Sequence, residues 1–154
     1  MFKNIKIEKL EARHAGSISR LLQRSDKEYS KYFVPFSFET ETIKGLLQDA
    51  INDKYFGIFV DSTLVGFYML RGFDEGFEIP SYGVWINKEY SGFGLSQLTL
   101  QHAISYCKVN GIEKIMLKVH QDNLIAKNIY EKFGFVQEGF DEKINNIIYY
   151  KNLK

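Results

Sequence analysis

Tyr90-Ser91-Gly92-Phe93-Gly94-Leu95-Ser96, followed downstream by Asn123-x-x-Ala126-x-x-x-Tyr130-x-x-x-Gly134-Phe135, is the stretch on which the fold turns. The first piece is a glycine-bearing loop between an expected strand and an expected helix. Such a loop aims several backbone N–H groups at one point, with the positive end of the helix dipole behind them. That is a seat for a phosphate group. The second piece sets an amide side chain at a helix start and a phenol two turns later. An anion seat beside a proton donor suggests a phosphate-carrying cofactor.

Working outward, residues 2–9 alternate apolar and charged side chains around Ile5 and Ile7, the period of a strand. His14 to Arg24 carries Ile18, Leu21 and Leu22 at helical spacing, and Glu39 to Asn52 carries Ile43, Leu46, Leu47, Ala50 and Ile51. Between these helices, Ser25 to Phe38 reads as an aromatic-rich loop. Tyr55–Val60 and Leu64–Arg71 read as strands of a hairpin turning at Asp61-Ser62-Thr63. Phe77–Ile86 reads as the next strand, with Pro80 marking an edge, bend or bulge. A helix from Leu95 to Asn110 stops at Gly111. A strand follows through Ile115, Leu117 and Val119, then a helix capped by Asp122 or Asn123 and stopped at Gly134. Val136–Phe140 and Ile147–Leu153 close the chain as a hairpin. This order implies an α/β (α+β) domain over residues 1–154. Its mixed, mostly antiparallel twisted sheet would have helices on both faces.

Composition narrows the function. With 20 Lys and Arg against 19 Asp and Glu, the formal charge of +1 gives no broad pull toward nucleic acid or anionic lipid. Cys107 is the only cysteine, so neither an internal disulfide nor a Cys/His zinc cluster is expected, and it reads as a small core residue beside Ala103 and Ile104. No window approaches the roughly 20 apolar residues of a membrane helix. No apolar run of a signal peptide opens the chain. The expected location is cytoplasmic, with no metal.

Alone, Gly92-x-Gly94 also fits an ordinary tight turn. It lacks the Gly-Lys-Ser/Thr ending of a P-loop, and Gln97 stands where a dinucleotide fingerprint wants a third glycine. Both pieces together, however, resemble the GNAT superfamily of acetyl-CoA-dependent N-acetyltransferases. That family's loop is usually Arg/Gln-x-x-Gly-x-Gly/Ala, embedded as Tyr-Arg-Gly-x-Gly-Ile-Gly. Its later segment is matched here at Asn123, Ala126, Tyr130, Gly134 and Phe135. Ser91 replaces the usual Arg or Gln, and Ser96 the usual Gly or Ala.

The resemblance implies a GNAT-like sheet of about seven strands, acetyl-CoA as co-substrate, and direct attack of a primary amine on the thioester. It implies diphosphate binding at Ser91, Gly92, Phe93, Gly94, Leu95 and Ser96, mainly through backbone N–H groups. The pantetheine arm would pair with Val84, Trp85 and Ile86, held from the other side by Asn123. Lys127 would meet the outer phosphates, with Lys132 as a further candidate. Tyr130 would hydrogen-bond or protonate the departing sulfur.

The attacking amine must lose a proton, for which Glu78 is the first candidate and His120 the second. Tyr29, Tyr32, Phe33, Phe36, Glu78 and Tyr82, with Asp74 and Glu75, are candidates to line the acceptor pocket. Flat rings beside carboxylates suit a small-molecule amine, an amino sugar or its nucleotide-linked form among them. The alternatives are peptide or protein N-acetylation and a non-catalytic acyl-CoA-binding module. Monomer and homodimer are both open, the latter through the Tyr/Ile-rich last strand. His14 and His102 read as exposed helix residues.

Overall fold

The computed structural model describes residues 1–33 and 35–154. Seven strands form one sheet: β1 Ile5–Lys9, β2 Lys54–Val60, β3 Thr63–Arg71, β4 Ser81–Ile86, β5 Lys114–His120, β6 Val136–Asp141 and β7 Asn146–Asn152. Among the described residues five α-helices accompany them: α1 Ala15–Gln23, α2 Lys27–Ser30, α3 Thr40–Asp49, α4 Leu95–Val109 and α5 Leu124–Lys132. The strand order is β1-β2-β3-β4-β5-β7-β6, antiparallel throughout except for β4 and β5, which run parallel. The expected mixed, mostly antiparallel sheet is therefore present.

Both faces of the sheet are covered because the inner strand β3 is apolar at every position from Leu64 to Leu70 except Gly66. Successive side chains point to opposite faces. Phe67 and Met69 pack with Ile18, Leu22 and Ile43 of α1 and α3. Tyr68 and Leu70 pack with Leu100, Ala103, Ile104 and Cys107 of α4. Burial pushes the Cys107 thiol up to about 11, so it stays protonated and serves as a core residue.

Three expectations change. The segment 25–38 is not all loop: α2 forms where Asp26 accepts a hydrogen bond from the Glu28 N–H at 2.8 Å and caps a single turn. Val34, within that segment, lies outside the described residues. β4 begins at Ser81 rather than Phe77, since Pro80 has no N–H to give a ladder and Phe73–Glu75 form a 3-10 turn instead. Glu78 thus lies in the bend before β4, not on a strand.

The third change concerns the histidines. His14 is buried, its Nδ1 accepting from the Glu11 N–H at 2.9 Å. His102 is half-buried, its Nδ1 lying 2.6 Å from the Tyr68 hydroxyl, and burial lowers its pKa. Helical spacing locates such residues but does not say which neighbouring element covers them.

Among the described residues no helix is long and apolar enough to cross a membrane, and no three His, Cys, Asp or Glu side chains gather to hold a metal.

Asp74, read from the sequence as a pocket acid, is occupied elsewhere. Its carboxylate accepts the N–H groups of Ile51, Asn52 and Asp53 at 3.0, 2.7 and 3.2 Å, fastening the α3–β2 connection to the turn before β4. These bonds, led by that from Asn52, hold its pKa below the ordinary carboxylate range. A depressed folded-state pKa gives stability that is present above the unfolded value and lost as pH falls through the folded one. Asp74→Ala should therefore lower the thermal midpoint at pH 7. The gap from the unaltered chain should close as pH drops below about 4. Melts at a series of pH values check this, and a gap independent of pH would contradict it.

Candidate functional site

β4 and β5 lie side by side only at Ser81–Met116 and Tyr82–Leu117, although β4 continues to Ile86 and β5 to His120. Beyond Tyr82 the two strands part. The phase of the ladder shows what this leaves open. Asn87 donates to the Val65 carbonyl at 2.8 Å, so Asn87–Val65 is a hydrogen-bonded pair of the antiparallel β3–β4 ladder. Such pairs alternate, so Trp85–Phe67 and Gly83–Met69 bond as well. The backbone groups of Val84 and Ile86 then face the gap. Across the junction, the Pro80 carbonyl accepts from the Met116 N–H at 3.0 Å, agreeing that the even positions of β4 face β5.

Of the three strand residues expected to meet a pantetheine arm, Val84 and Ile86 thus present free backbone groups, while the backbone of Trp85 is turned to β3. The Ile86 carbonyl is already taken by the Tyr29 hydroxyl of α2 at 2.6 Å.

The glycine loop follows directly. Gly92 and Gly94 adopt φ of +84° and +81°, values that L side chains rarely take, and a Cβ at either would meet open space rather than protein. Gly94 occupies the N-cap of α4 and has no side chain to cap the first turn. The first ladder bond runs from the Leu98 N–H to the Gly94 carbonyl at 3.0 Å, so the N–H groups of Leu95, Ser96 and Gln97 point out of the helix end. The Ser91 hydroxyl donates to the Lys88 carbonyl at 2.7 Å and holds the preceding 3-10 turn instead of facing the seat. Phe93 is exposed, edge-on to Tyr90.

α5 forms the far wall. Asn123 caps it by accepting from the Ala126 N–H at 3.3 Å, which leaves its NH₂ group free to donate. Two turns on, the half-buried ring of Tyr130 meets Tyr82 edge-on at 6.4 Å, on the strand where the gap opens. The Tyr130 hydroxyl has no hydrogen-bond partner among the described residues. No buried side-chain oxygen in that set is unpartnered, so this one is reached by solvent. Burial of the side chain raises its pKa, and the hydroxyl remains a proton donor through the neutral range. Lys127 and Lys132 lie on the same helix without an ion-pair partner among the described residues.

On the opposite face a cavity of about 680 Å³ opens beside Gly83 at the parting of the strands. Met69, Met116 and Tyr150 give it an apolar floor, and Glu75 and Glu78 lie at its edge. Its cations are engaged. Lys118 pairs with Asp141 at 3.1 Å, and Arg71 lies over the Phe36 ring while donating to the Pro35 carbonyl. Glu75 and Glu78 have no such partner among the described residues. Met116 and Lys118 went unnoticed in the sequence, although the alternation opposite Ile115, Leu117 and Val119 marks them as sharing this face.

The other expected pocket residues divide. Tyr32 stacks on His120 at 4.4 Å, joining the α2–α3 connection to the end of β5. The His120 Nδ1 accepts from the Asp122 N–H at 3.2 Å, so a neutral ring carries its proton on Nε2. Phe33 packs edge-on to Phe67, and Tyr29 edge-on to Trp85, within the α1/α3 core. The Tyr82 side chain is buried under the α4 face, its hydroxyl on Thr99, leaving only its backbone at the cavity.

Comparison with known proteins gives this geometry a family. The acetyltransferase (GNAT) family model matches residues 19–135. A probable spermine N(1)-acetyltransferase of Bacillus subtilis subsp. natto is 32% identical over 109 residues, covering 64% of this chain and 72% of the relative. Among solved structures, PaiA N-acetyltransferase of Thermoplasma acidophilum in complex with coenzyme A superposes with a TM-score of 0.79 at 22% identity, over 97% of this chain and 99% of that one. Ribosomal-protein-S5-alanine acetyltransferase of Vibrio fischeri superposes at 0.81 with 20% identity, over 100% and 96%. At these identities the structures establish the fold.

The open glycine turn, the uncapped α4 N–H groups and the unpaired β4 edge fit a long cofactor carrying a diphosphate at one end and amides along its arm. Because the family match runs from within α1 to Phe135 and takes in both walls of the gap, the chain belongs to the GNAT family of acetyltransferases, with acetyl-CoA as its co-substrate.

Proposed function

We propose that this enzyme acetylates a primary amine of a small, flexible, cationic molecule of the polyamine class. The observation that carries the reading is the pair of unpartnered carboxylates, Glu75 and Glu78, beside an apolar floor where the strands part. An alkyl chain suits that floor, and protonated amines suit the carboxylates. The name of the Bacillus relative supports the same class. The amino-sugar alternative is less well served, since Phe33 and Tyr29 are spent on core contacts and cannot stack on a sugar face.

In this reading the cleft divides the work by face. The N–H groups of Leu95, Ser96 and Gln97 hold the diphosphate, with Lys127 near the outer phosphates. The free groups of Val84 and the Ile86 N–H hold the arm, and the Asn123 NH₂ reaches it from across the gap. Bound acetyl-CoA supplies an activated thioester. Glu78 takes a proton from the acceptor's ammonium group so that nitrogen can bond to the acetyl carbon while the carbon–sulfur bond breaks. Tyr130 gives its hydroxyl hydrogen bond to the departing sulfur; where it also gives its proton, the second proton that the nitrogen sheds on becoming an amide restores the phenol, so the products are the amide, the thiol of coenzyme A and a protonated Glu78. Tyr32 and His120 form the wall past which the acceptor enters, His120 offering an N–H to it. No residue is acylated, and Cys107 lies in the core.

A panel of spermidine, spermine, an amino sugar and an amino-terminal peptide tests the substrate class by thiol release. Turnover should be highest on the polyamines. Turnover confined to the sugar or the peptide would overturn the assignment. Tyr130→Phe should lower kcat about tenfold or more while the Kd for coenzyme A stays within about twofold. An unchanged kcat removes Tyr130 from the chemistry. Glu75→Gln should raise KM for a polyamine about two- to fivefold, as expected for one exposed charge, with kcat kept. Glu78→Gln should affect both constants. Steady-state kinetics at two ionic strengths separates these outcomes, since the KM effects shrink in high salt.

A further inference from the structure

Among the buried polar contacts that the proposed chemistry does not use, one lies between β4 and α4. Tyr82 is 3% exposed and Thr99 is 0% exposed, yet each carries a hydroxyl. The Tyr82 hydroxyl donates to Thr99 Oγ1 at 3.1 Å. Thr99 in turn donates back into its own helix, between the Leu95 carbonyl at 3.0 Å and the Ser96 carbonyl at 2.9 Å. A serine or threonine bonding back along its helix is ordinary. A buried phenol from another element joined to that bond is not, because packing alone would be met by phenylalanine.

Both ends of the contact lie at the cleft. Tyr82 pairs with Leu117 at the last position before β4 and β5 part. Leu95 and Ser96 belong to the first turn of α4, whose N–H groups face the glycine loop. The apolar side chain of Leu95 also seats that turn, packed with Ile86, Ile58 and Val65. Such packing resists separation but is non-directional. A hydrogen bond has a preferred direction, and here it fixes the rotation of the first turn about the helix axis relative to β4.

We propose that Tyr82 and Thr99 are positioning residues: their hydroxyl bridge ties the vertex of the parted strands to the first turn of α4 and so sets the aim of the N–H groups that receive the diphosphate of coenzyme A. The inference rests on the GNAT reading of the cleft and adds to it a contact through which the strand gap holds the phosphate seat in register. The bridge is separable from Tyr130, whose ring meets the Tyr82 ring edge-on. Phenylalanine at 82 keeps that ring contact.

Two ligands distinguish the bridge from general loosening. Coenzyme A uses both the strand gap and the phosphate seat, whereas pantetheine, lacking the diphosphate and nucleotide, uses the gap alone. Kd values are measured for each ligand by NMR titration of the unaltered chain, Tyr82→Phe, Thr99→Val and Thr99→Ser. Tyr82→Phe and Thr99→Val should each weaken coenzyme A about fivefold, the effect of one misaligned hydrogen bond. Pantetheine should bind as before, and Thr99→Ser should restore the coenzyme A affinity.

Equal weakening of both ligands by Tyr82→Phe and by Thr99→Val overturns the proposal, as does an unchanged coenzyme A affinity. Thr99→Val and Thr99→Ser decide the matter if Tyr82→Phe does not fold. Failure of coenzyme A to bind the unaltered chain overturns the cofactor seat itself, and the bridge's role with it.

Discussion

Everything in this molecule that bears on chemistry depends on two parallel strands that start together and do not stay together. From Tyr82 onward β4 keeps its bonds to β3 and loses those to β5, so the Val84 groups and the Ile86 N–H line a slot through the sheet. Unpaired backbone groups inside a protein are costly unless something satisfies them. Tyr29 supplies one answer for the Ile86 carbonyl. The others are suited to amides of a ligand arm. The slot is therefore a strand-shaped vacancy whose complement is another extended, hydrogen-bonding chain.

Because the slot passes through the sheet, it separates two environments that the reaction needs apart. On the α4/α5 face are the positive turn at Gly92–Ser96, the cap at Asn123 and the donor at Tyr130. On the α1/α3 face are carboxylates and an apolar floor. In the proposed reading the cofactor and a cationic acceptor approach from opposite sides and need not compete for the same charges. The half-buried Tyr130 side chain, whose pKa is raised by burial while its hydroxyl stays open to the cleft, suits a site where negative charge develops on sulfur and must be met by a donor that keeps its proton until then.

Much of this was legible in the sequence because it rests on local rules. Period-two alternation marked β1 and β5, two apolar runs about the Asp61–Thr63 turn marked β2 and β3, helical spacing marked α1, α3 and α4, and Gly92-x-Gly94 marked the turn that positive φ requires. The Asn123 cap followed from the chemistry of helix starts, whereas Tyr130 was singled out by the resemblance of its segment to the GNAT pattern.

What was not legible depends on tertiary contacts. Asp74 looked like a pocket acid until three N–H groups from a distant connection claimed it. Tyr82, Phe33 and Tyr29 were indistinguishable from pocket aromatics, because the number of flat rings says nothing about which side of a sheet each will cover. Trp85 was grouped with Val84 and Ile86 because a sequence does not print the phase of a ladder. That phase is fixed by the β3 register.

The slot can be tested without turnover, by amide hydrogen exchange at single residues with and without coenzyme A. The N–H groups of Val84 and Ile86 should slow by at least about tenfold on binding, each gaining a partner. Those of Gly83 and Trp85, already bonded to β3, should change far less. Equal protection along all four positions, or none at Val84 and Ile86, would contradict a cofactor arm lying along this edge.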